Sequence, residues 1–136
     1  MKSILLTLTA AIFAMFTLTA SAAPYIGVAM SEGASSNTAI QATVGATAGD
    51  YLGAEVAYVA SNTTSFWEAA LVGRMPVVGR LTAFGKVGGL EHGNHYLSLG
   101  LNVNMTSTWS TYIEAAKYTI DSSDDEVLRA GLRYSF

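Results

Sequence analysis

Few residues in this sequence combine a reactive type with a useful spacing. The two histidines, His92 and His95, stand on one short segment beside Glu91. A metal ion needs donors that converge from different directions, and three near neighbours in a turn do not supply a helical or strand-spaced ligand set. They read as turn residues. A His/Ser pair of the kind that cleaves lipid acyl chains is the other candidate, with His95 as base. The residue two along on its face is Leu97, while Ser98 points to the opposite face, so no Ser/His/Asp geometry emerges. Asp121, Asp124, Asp125 and Glu126 crowd residues 121–126. They lack the glycine-punctuated spacing of a calcium loop and read as a solvated loop tip. Cysteine is absent, which removes thiol nucleophiles, thiolate metal sites and disulfides. No catalytic residue, metal ligand or cofactor is expected, and the chain is not expected to be an enzyme. What remains is a set of dispersed charges: Glu55, Glu68, Arg74, Lys86, Glu114, Arg129 and Arg133.

Alternation positions those charges. Beyond residue 23 helical periodicity is hard to find, whereas apolar and small or polar residues alternate in stretches of about ten residues. The stretches are 24–31, 38–47, 51–60, 65–75, 80–91, 95–105, 109–119 and a closing segment that ends at Phe136. The sixth is the clearest: Leu97, Leu99, Leu101 and Val103 share one face, and Tyr96, Ser98, Gly100, Asn102 and Asn104 share the other. In the last, Leu128, Ala130, Leu132, Tyr134 and Phe136 oppose Arg129, Gly131, Arg133 and Ser135. Small polar runs or glycines separate the stretches, and Pro76 is expected to end the fourth by removing a ladder donor. Eight strands of about ten residues match the length that a tilted strand needs to cross a bilayer. Eight is also the smallest usual number for a closed barrel, which leaves lipid no free sheet edge.

The charges decide which face is outside. Only 12% of the 136 residues are charged and the formal net charge is −3, too small to suggest a nucleic-acid partner. A mid-bilayer Arg or Lys on a lipid-facing surface costs about 2–4 kcal/mol. In a narrow lumen, three carboxylates and four cations can pair with one another and offset desolvation. On the other face Trp109, Tyr134 and Phe136 fall near one end of the strands, and Tyr58 and Trp67 near the other, a sparse pair of aromatic girdles. The outward charges Glu91 and Lys117 fall at the loop-side ends, where their penalty shrinks. The expected fold is all-β: an eight-stranded antiparallel up-and-down transmembrane β-barrel. The alternative is a soluble lipocalin-like ligand-binding barrel with the apolar face turned inward.

The first segment reads as a leader. Lys2 gives a short positive start, 4–18 is apolar, and Ala20-Ser21-Ala22 fits cleavage after Ala22. The expected division is a signal peptide over 1–22 and a barrel over 23–136. Removing Lys2 takes the formal charge from −3 to −4.

The closing segment resembles the β-signal of bacterial outer-membrane barrels: a polar residue, a glycine two later, and aromatics five and seven later, here Arg129, Gly131, Tyr134 and Phe136. The chain from 23 onward resembles the OmpA-type and opacity-type barrels. Gly53-Ala54-Glu55-Val56-Ala57-Tyr58 is similar to that family's third strand. Residues 70–76 and 81–89 are similar to its fourth and fifth around a proline turn, and Ile113-Glu114-Ala115 to its seventh. The resemblance implies residence in the bacterial outer membrane, outer-membrane lipid and the barrel-assembly machinery as partners, and an interior network in which Glu55 and Glu114 meet basic side chains. In OmpA such a network is linked to gating of a narrow water path. The sequence departs from the family at Val72, where a cation is expected, with Arg74 one inward position on. The loops are also short, and no surface ligand is identified. A structural or surface-interaction role is expected, with a narrow gated pore as the alternative.

Overall fold

The computed structural model describes residues 22–33, 38–62, 64–121 and 123–136. The leader expected over 1–22 lies outside them except for Ala22, the first residue of a strand. The strands are β1 (Ala22–Gly33), β2 (Thr38–Ala48), β3 (Leu52–Ser61), β4 (Ser65–Val78), β5 (Leu81–Leu90), β6 (His95–Asn104), β7 (Trp109–Ile120) and β8 (Ser123–Ser135). A 3-10 turn, Glu91–Gly93, lies between β5 and β6. Each strand pairs antiparallel with the next, and β8 returns to β1, so the sheet closes as the alternation predicts.

The register fixes the shape of the cylinder. Pairings followed from Ala22 through Ala48, Leu52, Gly73, Gly85, Leu99, Ala115 and Leu128 return to β1 at Glu32, ten residues further on. That stagger over eight strands tilts each by about 40° and leaves a bore that side chains can fill. The turns β2–β3, β4–β5 and β6–β7 lie at the lower end together with Ala22 and Phe136, and the other connections lie at the upper end.

Large aliphatic side chains point out. Leu99 is 69% exposed and Leu71 68%, and Val28, Ile40, Val87, Ile113 and Leu128 share that surface. Ala46, Ala54 and Ala69 belong to the same outward series yet expose little, because a methyl group among longer neighbours such as Leu52, Val56 and Leu71 is covered by them. Tyr58 packs on Trp67 toward the upper end, and Trp109, Tyr134 and Phe136 meet edge to face in a row at the lower end. The lumen holds the polar residues. This arrangement overturns the lipocalin-like alternative, which needs the leucines inside.

Inside, aromatics lie against glycines that face them across the ladder: Tyr25 against Gly45, Tyr96 against Gly88, Phe84 against Gly100 and Tyr112 against Gly131. Two apolar collars result. Tyr96, Tyr118, Leu90, Ala70 and Ala116 form the upper one, and Phe84, Tyr112, Val72 and Ala29 the lower.

Two sequence expectations are corrected. Pro76 does not end β4: the strand continues to Val78, Pro76 pairs with Thr82, and an irregularity between Pro76 and Val78 absorbs the missing donor. The chain then reverses at Gly79, whose φ of 54° is easy for glycine. Residues 121–126 are not an extended loop. β8 begins at Ser123, so Asp124, Asp125 and Glu126 sit on a strand opposite Thr119, Tyr118 and Lys117. Thr119 Oγ1 donates to Asp124 Oδ1 at 3.1 Å, and Lys117 lies 3.4 Å from Asp124. Cross-strand pairing turns the acidic run into a hairpin.

Candidate functional site: an ion-paired lumen

Six of the seven dispersed charges converge in the lumen. Glu55 enters from β3, Glu68 from β4, Lys86 from β5, Glu114 from β7, and Arg129 and Arg133 from β8, and each exposes between 1% and 7% of its surface. The inward half of each strand's alternation puts them there, and the stagger brings neighbouring layers within reach of one another.

Lys86 Nζ is the hub. It contacts Glu55 Oε1 and donates to Glu114 Oε2 at 3.1 Å. The other oxygen of Glu114 accepts from Arg129 Nη1 at 3.1 Å. Arg129 Nη2 donates to the Tyr118 hydroxyl, which in turn donates to Glu68 Oε2 at 3.0 Å. Gln41 Nε2 donates to Glu68 Oε1, and Tyr25 Oη donates to Glu55 Oε2 at 2.7 Å. Arg133 lies 3.9 Å from Glu55 and stacks between rings, 4.3 Å from the Tyr25 centroid and 5.0 Å from that of Tyr112. Three carboxylates thus face three cations, and the apolar collars keep the group in a medium where each contact is stronger than in water.

Arg74 is not in this cluster. It is half-buried toward the lower end, and no carboxylate among the described residues lies within 4 Å of it. Conversely, Tyr25, Gln41 and Tyr118 belong to the network although the charged residues alone did not mark them. Their inward parity was readable; their partners depended on register. His95 is exposed on the outer surface and Ser98 is buried in the lumen, so the strand separates that pair. Of the residues in the closing motif, Arg129 is in the ion network, Gly131 lies against Tyr112, and Tyr134 and Phe136 belong to the lower aromatic row.

No protein-family model matches the chain, and no curated protein matches it in sequence. Solved structures do match in shape. The N-terminal β-barrel domain of Pseudomonas aeruginosa OprF superposes with a TM-score of 0.70 at 10% identity, over 84% of this chain and 97% of that one. The chain has the fold of the eight-stranded outer-membrane β-barrels. A de novo designed transmembrane β-barrel superposes with a TM-score of 0.73 at 14% identity, over 84% of this chain and 95% of the design. Neisserial surface protein A gives 0.59 at 11% identity, over 85% and 96%. At these identities what is shared is the barrel fold.

Proposed function

We propose that this protein is an integral barrel of a bacterial outer membrane, exported by the leader over 1–22, whose role is structural or is surface interaction through its upper rim. The observation that carries this reading is the inversion of ordinary globular burial. Lys86, Glu55, Glu114 and Arg129 are almost fully enclosed, while Leu71, Leu99 and Leu128 are about two-thirds exposed. In water that arrangement exposes large apolar area and desolvates charges without return; in a bilayer both faces are satisfied. Its partners are then outer-membrane lipid and, during biogenesis, the assembly machinery, for which Arg129, Gly131, Tyr134 and Phe136 form the recognition segment. Cell fractionation with heat-modifiable migration in detergent gels tests this reading. The expected result is recovery with outer membranes and faster migration of the unheated sample. Recovery in the soluble fraction would overturn it.

A narrow pore is the second reading. Tyr96 Oη, Ser98 Oγ and Asn102 Oδ1 are buried along the lumen with no protein partner, which favours water there. Planar-bilayer recording of the wild type and of the Glu55→Ala/Lys86→Ala double variant tests it. Silence from both would sink the pore.

A further inference from the structure

The lower mouth of the lumen holds two inward arginines, Arg74 and Arg133, that the carboxylates above it do not fully pair. Glu55, Glu68 and Glu114 are matched in number by Lys86, Arg129 and Arg133. Arg74 is a fourth inward cation. It sits on β4, and Arg133 sits on β8, four strands away in either direction around a closed ring of eight, so the two project from opposite walls. Both lie toward the lower end, Arg74 near the β4–β5 turn and Arg133 two residues from the end of β8. Followed both ways around the ladder, the pairings of Arg133 reach Glu68 on one side and Arg80 on the other, and Arg74 lies midway between them, at the same height as Arg133 on the opposite wall. Neither is well satisfied. Arg133 is 7% exposed; its Nε has no partner, and its nearest carboxylate is Glu55 at 3.9 Å, already engaged by Lys86 and Tyr25. Arg74 has only Asp50, on the exposed β2–β3 turn and beyond ion-pair distance, as a nearby carboxylate among the described residues. The buried hydroxyl groups of Thr82 and Ser110 share this end, and Ser110 is the direct cross-strand partner of Arg133.

We propose that the lower mouth is a binding site for a compact oxyanion, clamped between the guanidinium groups of Arg74 and Arg133. Guanidinium forks match the geometry of phosphate and carboxylate oxygens, and two like charges facing each other in a partly dehydrated mouth are stabilised by an anion between them. The hydrogen-bonded wall is continuous around the barrel, so the ligand enters along the axis from water rather than sideways from lipid. The site therefore takes a small soluble anion, not a lipid headgroup. It lies at the lower edge of the ion-paired plug and shares Arg133 with it.

The test is calorimetric titration of inorganic phosphate into the barrel refolded in a phosphate-free glycoside detergent, with heat-modifiable migration certifying closure of each variant. The wild type should bind phosphate saturably at one site. Arg74→Gln should weaken binding at least tenfold while remaining heat-modifiable, because Arg74 is outside the interior ion cluster. Arg80→Gln, on the exposed β4–β5 turn, should bind as the wild type does and so controls for general surface charge. No saturable binding by the closed wild-type barrel would overturn the proposal. So would Arg74→Gln binding like the wild type, or Arg80→Gln losing affinity as strongly as Arg74→Gln. Failure of all samples to show heat-modifiability would count instead against the membrane-barrel reading.

Discussion

Glu114 takes a cation on each oxygen, Lys86 on one side and Arg129 on the other, both at 3.1 Å. Deleting one member of a buried set leaves its partners charged and unpaired, at a cost of about 3–5 kcal/mol. Glu114→Gln and Lys86→Met should each lower the stability of the barrel in lipid vesicles by roughly that amount. The double variant should cost clearly less than the two single losses added together, because the residues share a contact. Urea unfolding followed by the fluorescence of Trp67 and Trp109 reads all three, and simple additivity would show that the pair is not coupled. At this scale the sequence revealed direction but not partnership. A period of two places Glu55, Lys86, Glu114 and Arg129 inward, since each alternates with residues too apolar to share a polar face. That Lys86 bridges Glu55 and Glu114 depends on how the five consecutive strands β3 to β7 are set past one another, which no single strand encodes. Arg74 shows the other half of that limit: its parity is inward, yet the stagger places it below the carboxylates it was expected to meet.

At the scale of the strand, packing is set by where the sequence withholds a side chain. Gly100 lies under the Phe84 ring, and a Cβ there would also approach the Ile113 carbonyl oxygen to 2.5 Å, where backbone cannot yield as a side-chain tip can. Gly73 has nothing within 4 Å of the same hypothetical atom. Gly100→Ala should therefore destabilise the barrel by about 1–3 kcal/mol, the usual cost of overpacking. Gly73→Ala should be near neutral, and the same urea titration separates the two. Equal effects would mean that the ring–glycine fit carries no special weight. The aromatic partner is invisible in sequence because Gly100 and Phe84 are sixteen positions apart on different strands. Strand number and parity were legible; strand ends were less so. Pro76 is a breaker by composition, but a local irregularity lets the ladder continue past it. The acidic run from Asp124 to Glu126 looks like loop by charge, but cross-strand contacts with Lys117 and Thr119 offset its repulsion.

For the molecule as a whole, the decisive dimension is height. Strands of 10 to 14 residues, tilted by the ten-residue stagger, rise about 2.5 Å per residue along the axis, so they span about 25–35 Å. That is close to the hydrocarbon thickness of about 30 Å. The connections between strands are two to four residues long, so among the described residues little projects beyond the rims. A surface partner, if the barrel has one, meets rim side chains rather than long loops. Among the described residues of the upper rim the charged ones are mainly acidic, with Glu32, Asp121, Asp124, Asp125 and Glu126 exposed near Lys117. The same geometry governs proteolysis. Cleavage needs several residues of extended, unpaired chain, and among the described residues almost every backbone group is either in the closed ladder or in a tight turn. Proteinase K added to either side of proteoliposomes should leave a fragment containing residues 22–136 uncut, and only heating in detergent should make it susceptible. Cuts within the β3–β4 or β6–β7 connections at native temperature would mean that those segments open far more than a two-to-four-residue turn allows, and that the rims offer a partner more than a ring of side chains.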